Sequence, residues 1–94
     1  MTVGLLLVDC FIAGSQSLKD KRRVMKSLTE RLRRGFNIAV CEYDSQDKWQ
    51  RSRLAIVTVN TQWRMAQSAM TKMLEFMERD RRVTVLDSEI QQIF

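Results

Sequence analysis

The amino-acid sequence predicts an α+β domain with the element order β-α-β-β-α-β, and three observations carry that prediction. Residues 2–13 and 51–60 are apolar at odd and even positions alike, as strands covered on both faces are. Each run leads into a longer stretch whose apolar residues recur every three to four positions, as on an amphipathic helix. Two shorter alternating runs, at 37–43 and 82–87, complete the set. This is the order of the ferredoxin-like two-layer sandwich, in which two helices cover one face of an antiparallel four-stranded sheet. The 94 residues suffice for one such domain, residues 1–94, around a single core.

In the first strand, Val3, Leu5, Leu7 and Phe11 alternate with Leu6, Val8, Cys10 and Ile12. The run resembles a signal peptide only superficially: it lacks a basic start, carries Asp9 in its middle and is too short to span a bilayer. A cytoplasmic protein with no membrane partner is therefore expected.

Residues 17–36, SLKDKRRVMKSLTERLRRGF, form the first helix and hold most of the chain's charge. Ser17 suits the N-cap, with Asp20 three residues later completing a Ser-x-x-Asp capping box. Leu18, Val24, Met25, Leu28, Leu32 and Phe36 make one apolar stripe, and Gly35 reads as the C-terminal stop. The helix carries eight of the sixteen basic residues against two acids, a net +6; the whole chain carries +5, so the remainder is −1. Arg31, Arg33 and Arg34 suit the negative end of the helix dipole. Lys19, Lys21, Arg22 and Arg23 crowd the positive end, where an anion would relieve them. Lys21 lies on the apolar side of the helix, near Met25 and Leu28, and is the residue most open to a structural role. The plain alternative for the whole basic face is a solvated surface, partly neutralised by acids from other elements.

The second strand, 37–43, alternates Ile38 and Val40 with small or polar residues, and 44–50 is a polar connection. Glu42, Asp44 and Asp47 offer carboxylates there, without the spacing of a calcium loop. Asp47, Trp49 and Arg51 are the candidate partner-binding residues, since Trp and Arg are frequent interface anchors; turn structure, with Trp49 folded over the sheet edge, is the alternative. After the third strand, Asn60 or Thr61 is expected to cap a second helix to about Asp80. Trp63, Ala66, Ala69, Met70, Met73, Leu74 and Met77 gather on its inner side as core filling. Val83 and Val85 mark the last strand, and Ile90, Ile93 and Phe94 of the tail are expected to pack against the domain.

The residue inventory excludes several functions. With no histidine and only Cys10 and Cys41, zinc sites, histidine acid–base catalysis and four-cysteine iron–sulfur ligation have no ligands or bases. The cysteines fall on strands that are not neighbours in the expected sheet, so both are expected as free thiols. The third strand, RSRLAIVTVN, has no aromatic on which a base could stack, and AGSQS lacks the arginine of an acylphosphatase loop. No acid–base pair or activated nucleophile is visible, so a non-enzymatic protein with no cofactor and no small-molecule substrate is expected.

The block SLKDKRRV at 17–24 and the segment NIAVCEYDSQDKWQR at 37–51 resemble the YlxP-like family of small bacterial proteins of unknown function, and the likeness extends over essentially the whole chain. The resemblance implies a ferredoxin-like fold and a loose link to translation, because the family's genes often neighbour those of initiation and ribosome-binding factors. It implies no catalytic residues. Two functions follow as expectations. One is a nucleic-acid-binding module that contacts the phosphates of structured RNA through Lys19, Lys21, Arg22, Arg23, Lys26, Arg33 and Arg34. The other is a dimeric protein-interaction or structural module, using the 47–51 segment and the sheet face that the helices leave open; a homodimer or a docked tail is expected to cover that face.

Overall fold

A computed structural model describes residues 1–94, in the order β1 (Thr2–Phe11), α1 (Leu18–Gly35), β2 (Ile38–Asp44), β3 (Arg51–Asn60), α2 (Trp63–Glu78) and β4 (Thr84–Gln92). The strands form one antiparallel sheet in the order β2-β3-β1-β4, so the two runs apolar on both faces are the central strands, as expected. Both helices lie on one face. Leu6, Val8 and Cys10 of β1, Ile12 just after it, and Leu54 and Ile56 of β3 point into that layer and are buried. They meet Met25, Leu28 and Leu32 of α1 and Ala66, Met70, Met73 and Met77 of α2. Gly4 lets α2 approach β1: a Cβ there would stand 2.5 Å from Met70 Cε and 3.3 Å from the Trp63 ring.

The residues between these on β1 and β3 face the other way and are half-buried or exposed, forming an open face. Pairing brings Leu5 beside Val57 and Leu7 beside Ala55 there, with Asp9 beside Arg53 towards one end. Bulges at Tyr43, on β2, and Leu86, on β4, interrupt both edges near that charged row.

Several local details differ from the sequence-based expectation. Ser17 does cap α1, its hydroxyl accepting from Asp20 N–H at 3.0 Å, but the Asp20 carboxylate accepts from Gln16 N–H rather than closing the box on Ser17. Gly35 is no left-handed stop: it remains helical, and no glycine has a positive φ. The helix ends where extended Phe36 packs edge-on against Phe76, ring centroids 6.4 Å apart. Asn60 and Thr61 do not cap α2. Asn60 is still paired with Thr2 in the sheet, its side chain accepts from Thr61 N–H, and the N-cap falls to Gln62 without a side-chain bond. The last strand is not 82–87: it begins at Thr84, leaving Val83 before it, and runs nine residues. The tail continues it to Gln92, and Val3 then holds Ile93 and Phe94 through backbone hydrogen bonds of 2.9–3.2 Å. Leu86 falls at the bulge that inserts one residue into the β4 register.

Candidate nucleic-acid interface

Helix α1 packs through Met25, Leu28 and Leu32, spaced three and four apart, so the opposite side is necessarily the solvent side. At about 100° per residue, Arg22, Arg33, Lys26, Lys19, Arg23 and Arg34 succeed one another across that side over an arc of about 120°. All six are exposed. Glu30 is the one acid within the arc.

None of the six makes an ion pair, not even with Glu30 among them, and Asp9, Asp44 and Asp80 hold other cations. Asp9 holds Arg51 at 2.6 Å, and Asp44 holds Arg53 at 3.3 Å. Asp80 holds Arg31 at 2.6 Å and Arg82 at 2.7 Å. The Arg82 hydrogen bond, reinforced by its backbone N–H and by Arg31, keeps the Asp80 carboxyl well below the usual carboxylate range against the opposing effect of burial. The same pair raises Arg82 above its ordinary value. The six cations are therefore solvated, as in the plain alternative read from the sequence, but without the partial neutralisation by acids from other elements that it included.

Two depressions flank the helix. One, of about 310 Å³, lies between α1 and edge strand β2; Arg22, Lys26 and Arg33 line it together with Glu42, over Met25, Val40 and Leu54. Arg33 also reaches across to donate to Val40 O at 3.4 Å. The other, of about 550 Å³, lies between the first turns of α1 and the α2–β4 connection, where Arg23 joins Arg81 and Arg82. Asp20 lines this second cleft as well, so its charge is mixed. Arg81 and Arg82 were missed in the sequence, since only the packing of α2 beside α1 brings the α2–β4 connection to this end.

Lys21 does not belong to the interface. It is 1% exposed, and its Nζ donates to Ser45 O at 2.7 Å and to Gln46 O and Arg51 O at 3.2 Å, with Glu42 Oε2 also at 3.2 Å. Glu42 in turn accepts from the Ser52 hydroxyl. Lying four residues before Met25, Lys21 must point inward, and only this ring of acceptors makes a buried ammonium tolerable.

The residues expected to bind a partner are not brought together either. Asp47 and Trp49 sit on the β2–β3 connection, and Trp49 is 56% exposed instead of folding over the sheet edge. Arg51 leaves them for the open sheet face, where its fork grips Asp9 at 2.6 and 3.3 Å. The connection itself is tied down: Lys21 holds two of its carbonyls and that of Arg51 at the start of β3, Ser45 takes a left-handed φ of 65°, and Gln50 donates to Ala13 O and Ser15 O. Both cysteines are free, as expected. Burial, with the charge of Asp9 adding, pushes the Cys10 thiol up to about 12, so it is no nucleophile. No helix is long and apolar enough to cross a membrane.

The family described as "Protein of unknown function (DUF503)" matches residues 3–90, and the chain belongs to that family. It is 30% identical over 76 residues to the uncharacterized protein YlxP of Bacillus subtilis (strain 168), covering 81% of this chain and 83% of that protein. Among solved structures it resembles the solution NMR structure of a de novo designed protein with a ferredoxin fold, LFR1 1. That likeness has a TM-score of 0.54 at 13% identity and covers 98% of this chain and 83% of the designed one; it concerns the fold alone.

Proposed function

We propose that this protein is a non-enzymatic nucleic-acid-binding module, which grips the phosphates of structured RNA with the outer side of α1. The observation that carries the reading is the arc of six exposed cations without an ion-pair partner. Such a surface costs stability through self-repulsion, and polyanion binding offsets the cost by releasing counterions. Phosphate contacts position a protein without reading bases, and the arc contains no aromatic on which a base could stack. Recognition then rests on the shape of a folded RNA. A translation or ribosome-related setting is part of the proposal and draws on the family resemblance alone.

The test is fluorescence anisotropy of a labelled RNA hairpin across a salt series, with the protein changed at Arg23 and Lys26. The reading predicts binding that weakens with salt and is reduced by the substitutions. A folded wild-type protein that ignores the hairpin at 50 mM salt would refute it.

A further inference from the structure

The groove between α1 and β2 holds more than cations. Arg22, Lys26 and Arg33, at one end of the arc, stand four and seven residues apart and fall in one row about 16 Å long beside β2. Met25, Val40 and Leu54 give the groove apolar surface, and the Glu42 carboxylate lines it too. Lys21 Nζ and the Ser52 hydroxyl both hold Oε2 of that carboxylate, whereas Oε1 takes no hydrogen bond from the chain and meets solvent. We infer that the groove takes one unpaired guanine base, bulged from the stem of a folded RNA, with Glu42 Oε1 accepting from its edge. The inference rests on the RNA reading of α1.

Size and charge placement point to a nucleotide. At about 310 Å³ the groove stands at the small end of ligand sites, which run to roughly 1,000 Å³, so it has room for one base rather than a length of chain. Its apolar residues offer a seat to the face of an unstacked base. The three cations have no ion-pair partner, and Arg33 already reaches across the groove to Val40 O at 3.4 Å. Phosphates on either side of a bulge would therefore find free counter-charges along the row. An apolar peptide would leave those cations unanswered, and an acidic one would bring its carboxylates towards Glu42. In a nucleotide the donor edge of the base and the phosphate lie at opposite ends, so the base meets Glu42 while the phosphates stay with the cations.

An ionised carboxylate only accepts, and that selects among the bases. Guanine presents two adjacent donors, N1–H and the N2 amino group, on its Watson–Crick edge. Uracil presents one, N3–H, between two carbonyl oxygens that the carboxylate repels. Adenine and cytosine each set their amino group beside a bare ring nitrogen. Oε2 already accepts from two donors, so the contact is one charge-assisted hydrogen bond through Oε1. Lys21 and Ser52 fix the carboxylate before any RNA arrives, so little side-chain freedom is lost on binding.

Fluorescence anisotropy at one salt concentration compares three labelled hairpins: fully paired, with a single bulged guanosine, and with a bulged uridine in its place. The guanosine hairpin should bind roughly 10-fold more tightly than the paired one, the size of one hydrogen bond to a charged group, and the uridine hairpin within about twofold of the paired one. In Glu42→Gln the amide oxygen stays with its two donors, Lys21 and Ser52, so the amide NH2 meets the guanine donors and the preference for guanosine over uridine should vanish. Thr29→Trp, which fills the groove from α1, should bring both bulged hairpins to the level of the paired one. It carries the test if Glu42→Gln loses the native circular dichroism spectrum. A wild-type protein that binds all three hairpins equally, or prefers uridine, overturns the inference and leaves the RNA reading standing. So does a guanosine preference that persists in either folded variant. A protein that binds no hairpin overturns both.

Discussion

The ammonium of Lys21 lies 2.7 Å from the carbonyl oxygen of Ser45, twenty-four residues further along the chain. This bond, with those to Gln46, Arg51 and Glu42, pins the β2–β3 connection against the first turn of α1. Lys21→Met fills much the same volume but strands the Glu42 carboxylate and removes the donor from three carbonyls. A loss of about 2–4 kcal/mol is expected, below the full range for a broken buried pair because Glu42 keeps a quarter of its side-chain surface. Urea unfolding measures it, and a variant within 0.5 kcal/mol of wild type, on the order of a neutral surface change, would show that the ring is not structural.

On the outer side of the same helix, Arg23→Ala with Lys26→Ala should leave stability unchanged within about 0.5 kcal/mol, since both side chains are exposed and Ala favours helix. If each contacts one phosphate, the log–log salt slope falls by roughly 0.7–0.9 per residue, and affinity at 0.1 M salt falls roughly 25- to 60-fold. Lys72→Ala, exposed on α2, is the control and should cost little. Equal losses from both changes would point to diffuse attraction rather than an α1 site.

Asp80 joins α1 to the α2–β4 connection through Arg31 and Arg82, and its carboxyl titrates well below the usual range. A depressed folded value means stabilisation that is complete above the ordinary carboxylate value, near pH 4, and lost as the pH falls through the lower folded value. Asp80→Asn should therefore cost about 1–3 kcal/mol at pH 7 and progressively less below pH 4. Urea unfolding at pH 7, 4 and 2.5 shows it; an equal loss at all three would assign the effect to packing.

Cys10 and Cys41 should separate by reactivity. In dilute native protein at pH 8, one thiol, Cys41, reacts promptly with a disulfide reagent. Cys10, fully buried with its thiol raised to about 12, waits for unfolding. Denatured, unreduced protein should release two equivalents. Prompt reaction of both in the native state would contradict the burial of β1.

Sequence periodicity determined the element order, the two central strands and the inner stripes of α1 and α2, and residue type alone marked the Ser17 cap. Those signals are local, carried by the two-residue period of strands and the 3.6-residue period of helices. The same periodicity placed Lys21 on the inner side of α1 and six of the other seven cations outside. Tertiary structure alone decided what each charge meets. The acceptors of Lys21 lie 21 to 30 residues away, Asp9 is 42 residues from Arg51, and Asp80 is 49 from Arg31. An ion pair depends on a few ångströms in space, and spacing along the chain does not encode that distance until the sheet has formed. The fate of the tail was decided the same way: residues 88–94 show no clean alternation, and β1 recruits them because its free edge supplies the backbone partners that those residues need.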